Sequence, residues 1–278
     1  MQSDARSLQG KVAFITGAGH GIGRATAHRL AEAGAHLVIQ DLDDQALRET
    51  AKELIGSHGR IVTLAGDLTA EGQPERVISE SLNAFGALDI LINNAGYIWN
   101  GAAHNHSEAQ WQAMLDIHVS VPFRLLKAFA GWMRPVAKAE IAETGAAQCR
   151  KVVNVSSVSG TMGSATQVGY SAGKAAVLGV TKTLAKEWGR FNVNVNAVAF
   201  GHIETRLTQS YQGKAPEIRV GANSFRVGLS ESQRSSLAQS VPLGRPGTTT
   251  EAAGAIYLLT LPESNYITGE VLTCSGGA

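Results

Sequence analysis

The segment GYSAGK, residues 169–174, fits two chemistries. Read from Gly169 it is G-x-S-x-G, the turn that lifts a serine nucleophile, here Ser171, out of a hydrolase sheet. Read from Tyr170 it places a phenol and an ammonium, Tyr170 and Lys174, at i and i+4, so that on a helix they share a face. An ammonium beside a phenol favours the phenolate and draws the tyrosine pKa down from about 10. A phenol tuned in this way can exchange a proton with an alcohol or a carbonyl near neutral pH. Ser157 ends the apolar run KVVNVSS (151–157), and a hydroxyl at a strand's C-terminal end can hydrogen-bond a substrate oxygen whose charge changes. The neighbouring Ser156 reads as structural. The hydrolase reading asks for more than the chain supplies. GTMGSATQV (160–168) is a poor strand to precede Ser171, no Asp follows it, and His202 is the only downstream histidine.

The elements that must position these groups alternate in type. Apolar runs at 11–16, 36–40, 60–66, 88–96, 151–157, 193–200 and 270–274 read as strands. Helical-period segments near 21–34, 43–59, 71–86, 107–138, 168–190 and 249–260 separate them. The strands are continuous rather than alternating, as expected of a sheet buried on both faces. The pattern predicts one doubly wound α/β domain with a parallel sheet over residues 9–278, preceded by a flexible tail over 1–8. Two segments, 136–150 and 206–240, exceed simple connections, and the second suggests a substrate lid within 202–240.

TGAGHGIG (16–23) joins the first strand to the first helix. Gly17, Gly21 and Gly23 allow a tight turn and close backbone approach, and the N–H groups that follow, from Ile22 onward, suit a pyrophosphate. The spacing is G-x-x-x-G-x-G rather than G-x-G-x-x-G, so the setting between strand and helix carries the assignment. Asp41 follows the second strand about 20 residues on. Its carboxylate can accept from both adenosine ribose hydroxyls and would repel a 2′-phosphate. His20, not Arg or Lys, precedes Gly21. NAD is therefore expected over NADP.

The net charge of +1 offers no basic field for nucleic acid, so a small-molecule partner is expected. Cys149 and Cys274 have no metal-ligand spacing and read as reduced thiols. HNH (104–106) reads as solvated loop histidines, and no metal site is expected. MQSDARSLQG lacks the apolar core of a signal peptide, and no run reaches the roughly 20 apolar residues of a membrane span, so a soluble cytoplasmic protein is expected.

TGAGHGIG, NNAG (93–96), the serine pair 156–157, YSAGK (170–174), NVNAVAFGHIET (194–205), VPLGRPG (241–247) and YITGEVLTCSGG (266–277) together resemble the short-chain dehydrogenase/reductase family over about residues 8–278. The resemblance implies that Ser157 polarises the substrate oxygen, that Tyr170 is the acid/base, and that Lys174 also holds the nicotinamide ribose. It places Asp67 and Leu68 at the adenine, Asn94 and Gly96 at the cofactor ribose, and Ile203 and Thr205 at the carboxamide or pyrophosphate. It also implies a homotetramer and hydride transfer between NAD(H) and a secondary alcohol or ketone. GTMG (160–163) is similar to carrier-protein 3-oxoacyl reductases.

Two positions depart from the pattern. His118 stands where the family has an Asn, either as a proton relay or as a packing substitution. Phe200 replaces the Pro before Gly201 and alters the floor of the nicotinamide site. The apolar residues Tyr97, Ile98, Trp99, Met162, Phe200, Leu207 and Tyr211 suit an apolar substrate. The second reading is a nucleotide-binding sensor or scaffold whose chemistry is impaired by His118 and Phe200.

Overall fold

Five consecutive buried residues, Val12–Thr16, form strand β1. The computed structural model describes residues 7–206, 208, 210–211, 217–220, 223–226, 228–230 and 240–278, with backbone alone for 210–211, 217–220, 223–226 and 229–230. The chain continues through α1 (Gly21–Glu32), β2 (His36–Asp41), α2 (Asp44–Glu53), β3 (Ile61–Ala65), α3 (Gln73–Phe85) and β4 (Ile90–Asn93). It then runs through α4 (Glu108–Leu115), a π-helical turn (Asp116–Ser120), α5 (Val121–Thr144), β5 (Arg150–Ser157), α6 (Val158–Met162), α7 (Val168–Trp188) and β6 (Val193–Phe200). Helix α8 (Thr249–Leu258) and strand β7 (Val271–Cys274) close the fold.

The seven strands lie in the order β7-β6-β5-β4-β1-β2-β3, every pair parallel. The order reverses between β1 and β4, and ligands of open α/β sheets bind in the crevice outside the strand ends at such a point. One face buries Leu30, Ala27 and Ile256 of α1 and α8 against the sheet; the other buries Val77, Leu125, Phe129 and Trp188 of α3, α5 and α7. Strands sandwiched in this way must be apolar on both sides, and β4, β5 and β6 are buried at every position.

Local signals set the element ends. Gly34 at φ +91° stops α1 while the Ala35 and Gly34 N–H groups donate to Leu30 and Ala31 carbonyls. The expected helix over 43–59 ends at Glu53 instead. The chain then passes so close to β2 that a Cβ on Gly59 would lie 1.9 Å from the Ala35 carbonyl oxygen. The expected irregular stretch 136–150 is mostly helix: α5 continues through Pro135 to Thr144. Buried Ala137 and the Glu140–Arg150 pair hold this extension to β5, with Nη2 to Oε1 at 2.6 Å. Leu8, assigned from sequence to a flexible tail, is 2% exposed, and its N–H donates to the Ala33 carbonyl. The expected lid over 202–240 lies mostly outside the described residues. Its described parts include two short strand pairs, Ser210–Tyr211 with Leu229–Ser230 and Glu217–Val220 with Asn223–Arg226. No described helix is long and apolar enough to cross a membrane.

Candidate active site

The turn between β1 and α1 requires its glycines. Gly17 and Gly21 take left-handed conformations, φ +66° and +52°. A Cβ on Gly23 would lie 2.0 Å from the Gly17 carbonyl oxygen. Asn94, expected at the cofactor ribose, braces this turn: its amide donates to the Thr16 and Gly17 carbonyls at 2.9 and 3.2 Å. Thr16 Oγ1 accepts from the Asn94 and Ala95 N–H groups, both at 2.9 Å, which ties β4 to the same turn. His20, which precedes helix α1, gives no side-chain cap and the first turn holds no acid, so an anion meets the helix dipole and the N–H groups of the first turn without a carboxylate from the helix's own first turn. Asp41 stands beside it, its Oδ2 accepting from Gly19 N–H at 2.8 Å and its Oδ1 from Asp43 N–H at 3.0 Å. Each oxygen keeps acceptor capacity for a ligand hydroxyl. These residues fit a dinucleotide: the glycine turn would take its pyrophosphate and Asp41 an adenosine ribose.

Other expected contacts divide. Asp67 Oδ1 is taken by Thr69, N–H at 2.8 Å and hydroxyl at 2.7 Å. Leu68 and Ile203 are 4% and 5% exposed and pack in the two cores, so their side chains serve the fold. The Thr205 methyl lies 3.6 Å from where a Gly21 Cβ would stand, placing Thr205 at the turn.

Ser157, Tyr170 and Lys174 come together at the C-terminal end of β5. Ser157 caps α6 by accepting from Ser159 N–H at 3.1 Å, and its hydroxyl reaches the Phe200 carbonyl at 3.3 Å. The Ser157 side chain also acts on the Tyr170 phenol, lowering its pKa. Lys174 Nζ donates to the Val155 carbonyl at 2.8 Å and lies 5.7 Å from the Tyr170 ring centroid. Ser156 donates to the Lys174 carbonyl at 2.8 Å and is structural. Ser171 sits inside helix α7, not on a turn leaving a strand, which removes the nucleophile-elbow reading.

The electrostatics reverse one expectation. Burial raises the Tyr170 pKa above its ordinary value, opposed by the Ser157 hydrogen bond. Burial pushes Lys174 down to about 7. The lysine is 6% exposed, so desolvation removes much of the charge that was to acidify the phenol.

His118 is also at this site, 2% exposed and inside the π-helical turn. Its ring stands edge-on to Tyr170, centroids 5.1 Å apart at 85°. Its Nε2 contacts the Tyr97 carbonyl at 2.8 Å. Burial first, then the Lys174 charge, holds its pKa well below the ordinary value, against the raising effect of the Tyr97 hydrogen bond. Phe200, expected to shape the nicotinamide floor, is 4% exposed and packs in the core below the site. Tyr97 and Trp99 are half-buried against the other core cluster, whereas Met162 is 69% exposed. Leu207 and the Tyr211 side chain lie outside the described residues. His104 is exposed in a short turn, while His106 turns its ring nitrogens inward.

Residues 11–215 match the family described as short chain dehydrogenase. The chain belongs to that family. It is similar to a 3-oxoacyl-[acyl-carrier-protein] reductase of Vibrio cholerae, 35% identical over 271 residues that cover 98% of each chain. The corresponding Thermotoga maritima reductase is 33% identical over 270 residues, 97% of this chain and 98% of that one. A crystal structure of the 3-ketoacyl-(acyl-carrier-protein) reductase from Brucella melitensis complexed with NADH superposes with a TM-score of 0.80 at 28% identity, covering 97% of this chain and 98% of that one. This short chain dehydrogenase is thus an oxidoreductase that uses a nicotinamide dinucleotide.

Sequence reasoning missed three features of the dehydrogenase site. Arg206 Nη1 lies 3.1 Å from His20 Nε2, which in turn lies 3.1 Å from Asp43 Oδ2, so a guanidinium does approach the glycine turn, from 186 residues away. The Val155 carbonyl anchors Lys174. Gly160 and Gly173 permit close packing: a Cβ on the first would lie 2.6 Å from the Lys174 carbonyl carbon, and on the second 2.8 Å from His118 Cβ. Glycines inside helices run against propensity, and that was the available signal for the last feature.

Proposed function

We propose that the protein transfers hydride between NAD(H) and a secondary alcohol or ketone, with 3-hydroxyacyl/3-oxoacyl compounds the leading substrate class. The observation that carries this reading is the meeting of Ser157, Tyr170 and Lys174 at the strand end beside an uncapped, glycine-lined helix N-terminus. The bound nicotinamide supplies the hydride chemistry. Ser157 Oγ hydrogen-bonds the substrate oxygen, Tyr170 Oη gives or takes its proton, and Lys174 Nζ, held by Val155, carries the proton onward. The 3-oxoacyl class is supported by the Vibrio and Thermotoga relatives, which are named for it.

NAD is favoured over NADP because the Asp41 carboxylate stands at the end of β2, pinned by Gly19 and Asp43. The nearby Arg206 contacts His20, and its charge acts on Asp43. A lid from 202–240, assembly as a homotetramer and a cytoplasmic setting complete the proposal. The test is absorbance of the reduced nicotinamide during turnover with a panel of acyl, steroid and simple secondary alcohols and ketones. Tyr170→Phe abolishes that signal while coenzyme binding persists. Coenzyme binding with no turnover on any substrate would favour a nucleotide sensor instead.

A further inference from the structure

Resting on the dinucleotide part of that reading and deepening it, we propose that Arg206 binds the coenzyme diphosphate, crossing the crevice from the β6 side and exchanging a resting contact with His20 for phosphate oxygens. The turn that carries Arg206 is closed on itself. Ile203 bridges to Gly247. Thr208 N–H donates to the Thr205 carbonyl at 3.0 Å, while Thr208 Oγ1 accepts from Thr205 N–H at 2.9 Å and donates to the Ile203 carbonyl at 2.6 Å. Arg206 therefore leaves a fixed stretch of backbone, next to the Thr205 methyl that lies 3.6 Å from where a Gly21 Cβ would stand. Its guanidinium ends on the far side of the glycine turn. Nη1 lies 3.1 Å from Nε2 of His20, the residue before α1, and the same Nε2 lies 3.1 Å from Oδ2 of Asp43, the residue before α2. In the sheet, β6 lies on one side of β1 and β2 on the other. A side chain that starts after β6 and ends beside the residues that follow β2 passes over the mouth of the β1–α1 turn, where a diphosphate meets the helix N-terminus.

The resting contact is one the guanidinium can leave. A single ring nitrogen faces two partners: as N–H it donates to Asp43, as a lone pair it accepts from Arg206, and it cannot do both at once. Arg206 is exposed, and the His20 and Asp43 side chains keep about a third and a half of their surface in water, so the cluster is screened. A diphosphate offers the guanidinium more. Its oxygens only accept, and the five N–H groups of an arginine form a fork that fits phosphate oxygens in pairs. The turn also has need of a cation. Asp41 Oδ2 accepts from Gly19 N–H at 2.8 Å, and Asp43 Oδ1 accepts from Ala46 N–H at 3.1 Å, so two carboxylates border the place where the diphosphate arrives. The Arg206 charge offsets their repulsion during binding.

The test is calorimetric and needs no turnover. ADP-ribose keeps the diphosphate and lacks the nicotinamide, so it and NADH are titrated into the parent and into Arg206→Met. At about 50 mM salt the variant should bind both roughly tenfold more weakly. At about 500 mM salt that loss should shrink to about threefold or less, because a screened charge carries it, whereas a loss of shape alone would not move with salt. The coenzyme-free melting temperature should stay within about 2 °C of the parent, since only an exposed contact is given up. A loss under about twofold for both ligands, or an equal loss at both salt concentrations, overturns the proposal. So does a loss confined to NADPH, which would put the guanidinium on a 2′-phosphate instead. A parent that binds neither ADP-ribose nor NADH overturns the dinucleotide reading and this inference with it. A parent that binds both, with Arg206→Met binding them equally well, overturns this inference alone.

Discussion

Replacing Asp41 by Asn isolates charge from shape at the end of β2. The side chain keeps an oxygen to accept from Gly19 N–H, now at 2.8 Å, so the glycine turn should survive. What changes is the field met by the adenosine ribose. A 2′-phosphate carries about −1.5 to −2 charges. At about 5 Å from a carboxylate, each unit charge is opposed by ~1 to ~3 kcal/mol for an effective dielectric between ~80 and ~20. Asp41 is half-exposed, so screening keeps the repulsion of the whole phosphate near the middle of that range, about 2 kcal/mol. Loss of a charge-assisted hydrogen bond to a ribose hydroxyl weakens NAD by about 1 kcal/mol. Together the NAD-over-NADP affinity ratio should fall roughly 10²-fold, and less at high salt. Titration of each coenzyme against tryptophan fluorescence reads the ratio directly, and a thermal melt confirms that the variant is folded. A folded Asp41→Asn whose ratio is unchanged, or a parent enzyme that binds NADP as tightly as NAD, would refute the argument. In the latter case Arg206→Ala should restore discrimination, because the Arg206 guanidinium contacts the turn's His20.

Other consequences are simpler. Gly23→Ala places a methyl 2.0 Å from the Gly17 carbonyl oxygen, so coenzyme affinity should fall by at least about tenfold with the melting temperature lowered, both read in one thermal-shift titration. Glu140→Ala leaves the Arg150 guanidinium, 4% exposed, without its carboxylate, and should cost about 3 kcal/mol of stability by urea denaturation. Lys174 has a folded pKa of about 7 against 10.5 when free, so the unfolded chain binds the extra proton between those values. Stability of the coenzyme-free protein relative to Lys174→Met should therefore rise from pH 7 toward pH 9, by up to ~1.4 kcal/mol per pH unit, and be lowest below pH 7. Parallel stability curves for the two proteins across that range would show that Lys174 is not desolvated.

The sequence made the sheet legible because its strands are buried on both faces and so are written as continuous apolar runs; VNVNAVAF (193–200) coincides with β6 residue for residue. Tyr170 and Lys174 were legible because i, i+4 spacing puts them on one helix face, the glycine turn and Asp41 because of their setting between strand and helix, and the joining of Ser157 to the pair because of the resemblance to the family. What escaped depends on distances between remote segments. Arg206 meets His20 across 186 residues, and no local pattern encodes that. That the Asn94 amide also closes the Gly17 turn follows from the pairing of β4 with β1, which brings it there. The π-helical turn is invisible to a 3.6-residue period, and helix α5 outran its expected end because the Glu140–Arg150 pair holds it to β5.

The reversed Tyr170–Lys174 balance changes how the site must be understood. Spacing puts ammonium and phenol on one face, and in water that would suffice to acidify the phenol. In the protein both groups are desolvated, and desolvation acts against the charged form of each. The coenzyme-free pair is therefore closer to a neutral phenol beside a half-neutral amine than to a phenolate beside an ammonium. Reactivity must then come from whatever re-polarises the pocket: donors to Tyr170 Oη such as Ser157, an acceptor for the Lys174 ammonium such as the Val155 carbonyl, and the positive ring of an oxidised nicotinamide. The first and third of these favour the phenolate and the second the ammonium, by electrostatics that strengthen as water leaves. It follows that NAD binding should release protons near neutral pH and tighten as pH rises, whereas NADH, whose ring is uncharged, should show a flatter dependence. Calorimetry of both coenzymes in buffers of different ionisation enthalpy measures that difference. Equal proton release for the two would mean that the ring charge does not reach Tyr170, and the phenol would then need another source of acidity.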